Sequence, residues 1–186
     1  MGASFPQGPG GRGEPQAAGA GSPTRWEALR PIYLRTLCFI RDGDRVLLVR
    51  RRKPPNEGLY NAPGGKNEPH EDPYEAVLRE VHEESGLRIR GPQLRAVITV
   101  ITQTTGAQWL LFVFVAEHPS DPPDPVATDE GDLQWVPLKE ISTLPVVSDI
   151  PLMLPYLFVR GGVLMGKIHC DNDDADSMLA YEFRIT

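Results

Sequence analysis

The chain has 186 residues, with 19 Lys+Arg against 25 Asp+Glu for a formal charge of −6, and 40% of its residues are hydrophobic and 8% aromatic. This is the composition of a soluble globular protein, and the acidic balance without a long Lys/Arg run argues against a nucleic-acid polymer as partner. The longest strictly apolar run, Trp109 to Ala116, falls far short of the ~20 residues that cross a bilayer, so no membrane partner is expected. No basic stretch followed by an apolar one opens the sequence, and Pro6 stands where a myristoylation signal wants Ser or Thr; the expectation is a cytoplasmic protein. Cys38 and Cys170, both flanked by strand-like sequence, are expected as buried free thiols.

Glycine and proline crowd the start of the chain. Residues 1–24 have almost nothing to bury against the entropy cost of ordering and are expected to form a disordered tail, leaving 25–186 as one domain. Tyr33 to Arg41 and Arg45 to Arg52 read as two strands joined through Asp42-Gly43-Asp44, a hairpin composition. A Gly/Pro-rich stretch with Asn56-Glu57-Gly58 and Pro63-Gly64-Gly65 follows. The strongest helix opens with Asp72 as N-cap, Pro73 at the first helical position and Glu75 completing a capping box, and it stops at Gly86. Tyr74, Val77, Leu78 and Val81 form its expected buried stripe. Gln93 to Gln103, Ala107 to Glu117 and Leu133 to Val136 read as strands, with Trp109 and Trp135 expected in the core. Ser148 to Arg160 reads as a second helix despite Pro151 and Pro155, and Val163 to His169 and Leu179 to Ile185 close the chain as strands. A mixed α/β fold with helices on both faces of a sheet is the economical assembly.

The chemistry concentrates on the first helix. Glu80, Glu83 and Glu84 stand at i, i+3 and i+4, on one side of the helix and about 5–6 Å apart at Cβ. Left alone they repel by a few tenths of a kcal/mol per pair, with only Arg79 and His82 nearby in sequence to compensate. A hard divalent cation such as Mg²⁺ or Mn²⁺ reverses that sign, because it takes oxygen ligands and shares its remaining positions with water and phosphate; a solvated acidic face is the ordinary alternative. Gly64-Gly65 lies just upstream, where backbone without Cβ lets a carbonyl or phosphate come close.

Gly65, Glu71, Arg79-Glu80-Val81, Glu83-Glu84, Gly86 and Leu87 match G-x5-E-x7-R-E-U-x-E-E-x-G-U at every fixed position, U being a bulky aliphatic. The chain thereby resembles the Nudix hydrolases from about Arg30 onward. The resemblance implies an α/β/α sandwich around a mixed sheet and a loop-helix-loop that binds divalent metal and the diphosphate of its substrate, with water attacking phosphorus. By family position Glu80, Glu83 and Glu84 would hold Mg²⁺ (Mn²⁺ can substitute) with the backbone carbonyl of Gly64, while Arg79 and Glu71 would brace those acids. The catalytic base would be a box glutamate, Glu83 or Glu84, or the later loop acid Glu130.

Lys53 to Lys66 and the C-terminal half further resemble the MutT-like, 8-oxo-dGTP diphosphatase branch, whose members act on small nucleotides. There an asparagine before the Gly-Gly pair and acids entering the last helix read the base, and Asn61 and Asp149 match those positions. The branch pattern has two adjacent aspartates and a nearby tryptophan where this chain has Asp149-Ile150 and Val147. The basic run Arg50-Arg51-Arg52-Lys53 leaves its strand toward the box, and Arg52 and Lys53 are the candidate phosphate contacts, a solvated strand end being the ordinary role. The expected activity is hydrolysis of a nucleoside triphosphate to monophosphate and pyrophosphate. The alternatives are hydrolysis of dinucleoside polyphosphates or nucleoside diphosphate-sugars, for which Gln103 and Thr105 replace the usual marker residues, and a non-catalytic ligand-sensing domain, which the intact box disfavours. His70, His82, His118 and His169 lack metal-ligand spacing.

Overall fold

A computed structural model describes residues 31–119, 125, 129, 131–159, 161–172 and 177–186. The expected tail and the candidate base Glu130 lie outside the described residues. Period-two alternation along the strands lets one sheet carry two cores. In β1 (Ile32–Asp42), Leu37 and Phe39 point to a cluster with Ile98, Val113 and Ile168 that α2 (Ile150–Leu157) covers through Ile150, Met153 and Leu157. Cys38 and Ile40, the intervening residues, point to the opposite cluster beneath α1 (Pro73–Ser85). Helices on both faces of a mixed sheet are therefore observed, and both cysteines are buried free thiols.

The sheet mixes parallel and antiparallel pairs. β1 pairs antiparallel with β2 (Arg45–Arg51) only next to the turn, at Arg41↔Val46 and Asp42↔Arg45, and then runs parallel to β5 (Gln108–Glu117). β2 meanwhile pairs with β3 (Tyr60–Asn61) and β6 (Gly131–Pro137). Into the opening between β1 and β2 runs the Gly64-Gly65 loop, held on β1 by Thr36 N–H to Gly65 O at 2.9 Å and Cys38 N–H to Pro63 O at 2.8 Å. The sheet continues from β5 through β4 (Gln93–Thr102) and β7 (Leu164–Cys170) to β8 (Met178–Ile185). A 3₁₀ segment, Leu138–Thr143, follows β6.

α1 forms as its ends dictate. Asp72 Oδ1 accepts from the amides of Tyr74 and Glu75, and Glu75 returns a bond to the Asp72 amide at 3.0 Å. Gly86, left-handed at φ 72°, ends the helix by donating to His82 O. Of the expected stripe, Val77 and Val81 are buried and Leu78 packs partly buried against the same cluster; Ala76, Glu84 and Ser85 are buried with them, and Tyr74 is not. Tyr74 is 43% exposed and only touches the Phe114 ring edge-on, because a first-turn residue sits at the rim where the helix enters. Val77 and Val81 are fully buried, each worth roughly 1.5–3 kcal/mol, and a charged residue at either would unseat the helix from the sheet.

Candidate active site

The stripe that buries Val77 and Val81 also carries Glu84 inward, where the residue is 8% exposed and its Oε2 accepts the Gly64 amide at 2.9 Å. Glu83, one residue earlier, faces out with its side chain 58% exposed. Arg79 gathers the remaining acids. Its Nε and Nη2 grip both oxygens of Glu71 at 2.7 and 2.9 Å, Nη1 reaches Glu80 at 2.9 Å and Glu83 at 3.0 Å, and Nη2 also donates to Lys66 O. The repulsion expected among Glu80, Glu83 and Glu84 is thus offset at the first two by a single guanidinium, while Glu84 is held by the Gly64 amide. Hydrogen bonds from Arg79 push the Glu71 carboxyl down to about 2, and the Arg79 guanidinium is raised above its ordinary value. Glu80 is raised, since burial outweighs the favourable pull of Arg79.

Two glycines make this arrangement possible. At Gly64, φ 151°, a Cβ would strike the Thr36 carbonyl, and at Gly65 one would collide with the Glu80 carboxylate. The loop therefore packs against β1 on one side and the acids on the other. Among the described residues no three His, Cys, Asp or Glu side chains are gathered tightly enough to hold a metal as they stand: Glu80 and Glu83 turn to Arg79 and Glu84 to Gly64. The donor set is nonetheless all oxygen, three carboxylates beside a loop without Cβ atoms, which fits a hard divalent ion and not a soft one.

A cleft of about 180 Å³ opens from the same loop onto the α2 face of the sheet. Leu37, Val100, Leu111 and Ile168 floor it, and Gly64 and Gly65 form one end. Asn61 and Asp149 both line it. They are brought together because β3 is stitched to the segment before α2, through Tyr60 N–H to Pro145 O at 2.8 Å and Val147 N–H to Tyr60 O at 3.0 Å. The Asn61 carbonyl accepts the Ala62 amide at 2.8 Å, which leaves one lone pair and the NH₂ for other partners. Asp149 occupies the N-cap position of α2 without making a cap bond, and its Oδ1 is buried without a partner among the described residues. Burial pushes its carboxyl up to about 6, partly opposed by the nearby amides of Asp149 and Ile150.

The basic candidates are placed as follows. Neither Arg52 nor Lys53 lines the cleft, and Arg52 instead pairs with Asp132 at the surface. Arg51 and Arg35 line it, Arg51 held by Nε to Pro55 O at 2.8 Å and Arg35 stacked 4.4 Å over the Trp109 ring. Trp109, expected in the core, is half-buried and lines the cleft beside Leu111, with Tyr33 against it at 4.7 Å. Strand alternation was the available signal for Arg35 and Trp109, since they continue the rows of Leu37 and Leu111, but the β1–β5 register that joins those rows is long-range.

The NUDIX domain family matches residues 33–157. The chain is similar to the uncharacterized Nudix hydrolase YvcI of Bacillus subtilis, 34% identical over 70% of this chain and 82% of that one. It is similar to the oxidized purine nucleoside triphosphate hydrolase of Mus musculus, 28% identical over 81% and 94%. It also resembles the 8-oxo-dGDP phosphatase NUDT18 of Homo sapiens at 35% identity, but spans only 30% of that protein's length. Among solved structures, the MutT protein of Bacillus halodurans matches with a TM-score of 0.70 and 28% identity over 81% of this chain and 97% of that one. Taken with the complete box and the two-faced mixed sheet, these matches make the chain a member of the Nudix hydrolase family.

Proposed function

We propose that the chain hydrolyses a nucleoside triphosphate, with oxidised purines of the 8-oxo-dGTP kind preferred, to the monophosphate and pyrophosphate. The observation that carries this reading is that one cleft joins Asn61 and Asp149 to the Gly64-Gly65 loop, which itself touches Glu80 and Glu84. Base-reading polar groups and a phosphate-cleaving box thus share one continuous surface. Glu80, Glu83, Glu84 and the Gly64 carbonyl would hold Mg²⁺, or Mn²⁺ in its place. That ion, when bound, supplies neutralisation of charge on bridging phosphate oxygens and a positioned water. Arg79 keeps the acids in place, and Glu83, Glu84 and Glu130 are the candidates for removing the water's proton. Arg35 and Arg51, the cationic side chains of the cleft lining, are suited to the phosphate chain.

Oxidation of guanine at C8 turns N7 from an acceptor into an N–H donor beside the O6 acceptor. The Asn61 amide can meet both, giving its NH₂ to O6 and its remaining lone pair to N7–H, while an ionised Asp149 accepts from the N1 and N2 edge. The test is a hydrolysis panel of normal and oxidised nucleotides with products separated. Pyrophosphate released only with divalent metal supports the reading; single phosphates released from triphosphates, or full turnover in excess chelator, would end it. A second reading, hydrolysis of oxidised nucleoside diphosphates, draws on the similarity to a protein named as an 8-oxo-dGDP phosphatase, and the same panel separates it. Turnover confined to dinucleoside polyphosphates or nucleotide sugars would instead select those substrates, and binding without turnover a sensing role.

A further inference from the structure

The last strand ends the sheet. β8 pairs with β7 on one side and with nothing on the other among the described residues. Val163 and Thr186 exchange both N–H···O bonds at 3.1 Å, so by antiparallel alternation Arg184, Glu182 and Ala180 turn their backbone groups toward β7. The backbone groups of Ile185, Phe183 and Tyr181 therefore face the open edge. The side chains of these same three residues lie on the α2 face, where Ile185 is 57% and Tyr181 50% exposed and Phe183 touches both the core and the Tyr181 ring. An edge with unsatisfied ladder groups and an apolar face is a template for another strand.

We infer that β8 pairs antiparallel with β8 of a second copy of this chain, about a two-fold axis at Phe183. The strand's own charges select that register. The outward backbone groups permit centres at residues 181, 182, 183 or 184. A centre at 182 sets Glu182 against Glu182, one at 184 sets Arg184 against Arg184, and one at 181 sets Glu182 against Ala180. Only the centre at Phe183 sets Glu182 against Arg184 of the second copy, twice by symmetry, in the wide pairs where side chains approach most closely. Lys167, which already reaches Glu182 at 3.3 Å, extends each pair into a three-charge row. On the other face Phe183 meets its own counterpart and Tyr181 meets Ile185.

The test is sedimentation equilibrium of the full chain, wild type and two single variants. Wild type is expected to dimerise, while Arg184→Glu and Glu182→Lys each raise the dissociation constant at least about tenfold, since both attractive pairs become repulsive. Mixing the two variants is expected to restore dimers. The reversed charge at position 184 of one copy then faces the reversed charge at position 182 of the other, and the second pair is the native Glu182 with Arg184; a merely structural effect would not be rescued this way. Unchanged circular dichroism and melting of each variant establish that the fold is intact. A full chain that stays monomeric up to about 100 μM, as it would if residues 1–30 held this edge, overturns the inference. So does a dimer indifferent to both substitutions, or a mixture that fails to re-form it.

Discussion

The amide of Gly64 donates to the carboxylate of Glu84 across 2.9 Å, so the loop at the end of the cleft is tied to the most buried acid of the helix behind it. Helical spacing alone treats Glu80, Glu83 and Glu84 as equivalents, whereas this bond separates them: Glu84 organises the loop, Glu80 sits under Gly65, and Glu83 faces solvent. Substitutions at the three should therefore differ in stability while agreeing in activity.

Glu83→Gln and Glu84→Gln are each expected to lower kcat by at least ~100-fold, because lost ligand charge at a phosphoryl-transfer site is worth a few kcal/mol. Glu83→Gln should leave the melting temperature nearly unchanged, since the carboxylate is exposed and Arg79 retains Glu71 and Glu80. Manganese titration by electron paramagnetic resonance gives the independent readout, with weaker binding in both variants. Near-normal turnover at saturating Mg²⁺ would remove that residue from the ligand set.

Gly65→Ala and Gly64→Ala should part company. A methyl at Gly65 meets the far end of the Glu80 side chain, which can swing away by giving up its bond from Arg79, so the fold survives while metal affinity and kcat fall. A methyl at Gly64 meets the backbone of Thr36, which cannot, so melting temperature falls as well. Thermal denaturation beside a metal titration distinguishes the two; equal stability loss in both would contradict the packing described.

Arg79→Lys should weaken the fold through the acids it leaves unpaired, because an ammonium cannot grip Glu71 with two parallel bonds and still reach Glu80 and Glu83. The Glu71 carboxyl is lowered from 4.5 to about 2, so its contribution is present above pH 4.5 and disappears as pH falls toward 2. The difference in stability between wild type and variant should therefore be largest at neutral pH and shrink through that acid window. Urea denaturation at pH 7 and near pH 2.5 measures it, and a difference independent of pH would show that Glu71 is not the partner that matters.

Much of this is legible in the sequence. The capping box and terminal glycine set both ends of α1, whereas the run Leu37 to Ile40, apolar throughout and buried on both faces of β1, carries no alternation by which to tell the faces apart. The two-residue β3 was not legible, because it exists only by pairing with Val49 and Arg50 and docking on Pro145 to Val147; yet that stitch brings Asn61 to Asp149. Choosing among Arg50 to Lys53 was equally beyond local sequence, since the Pro55 carbonyl directs Arg51 and Asp132 draws Arg52 to the surface. Tyr74 is the converse case, a residue with the right period in the first turn that stays 43% exposed and meets the sheet only at the edge of Phe114.

In the proposed reading Asp149 ties base binding to pH. Its carboxyl is raised from 3.8 to about 6 by burial, so the folded state holds the proton more tightly than the unfolded one. Stability from this group is complete below about pH 3.8 and is lost as pH rises through 6. Asp149→Asn should accordingly gain on the order of 1–3 kcal/mol relative to wild type at pH 8 and nothing at pH 3.5, by urea denaturation. Because accepting from N1–H and N2–H needs the anion, KM of wild type for 8-oxo-dGTP should rise as pH drops below 6, and that rise should vanish in the variant. A KM profile shared by both proteins would take Asp149 out of the base contact.

The most direct test of the account is the ratio of kcat/KM for 8-oxo-dGTP over dGTP in wild type and in Asn61→Ala, at saturating Mg²⁺. One unpaired buried polar group costs ~1–3 kcal/mol, or roughly 5- to 150-fold, and with a single aspartate beside Asn61 the wild-type ratio is expected in the lower part of that range. Asn61→Ala should bring it close to one while hydrolysis of dGTP continues. Equal values for the two nucleotides in wild type, or a ratio untouched by the substitution, would contradict the joining of base recognition to the phosphate-cleaving box in this cleft.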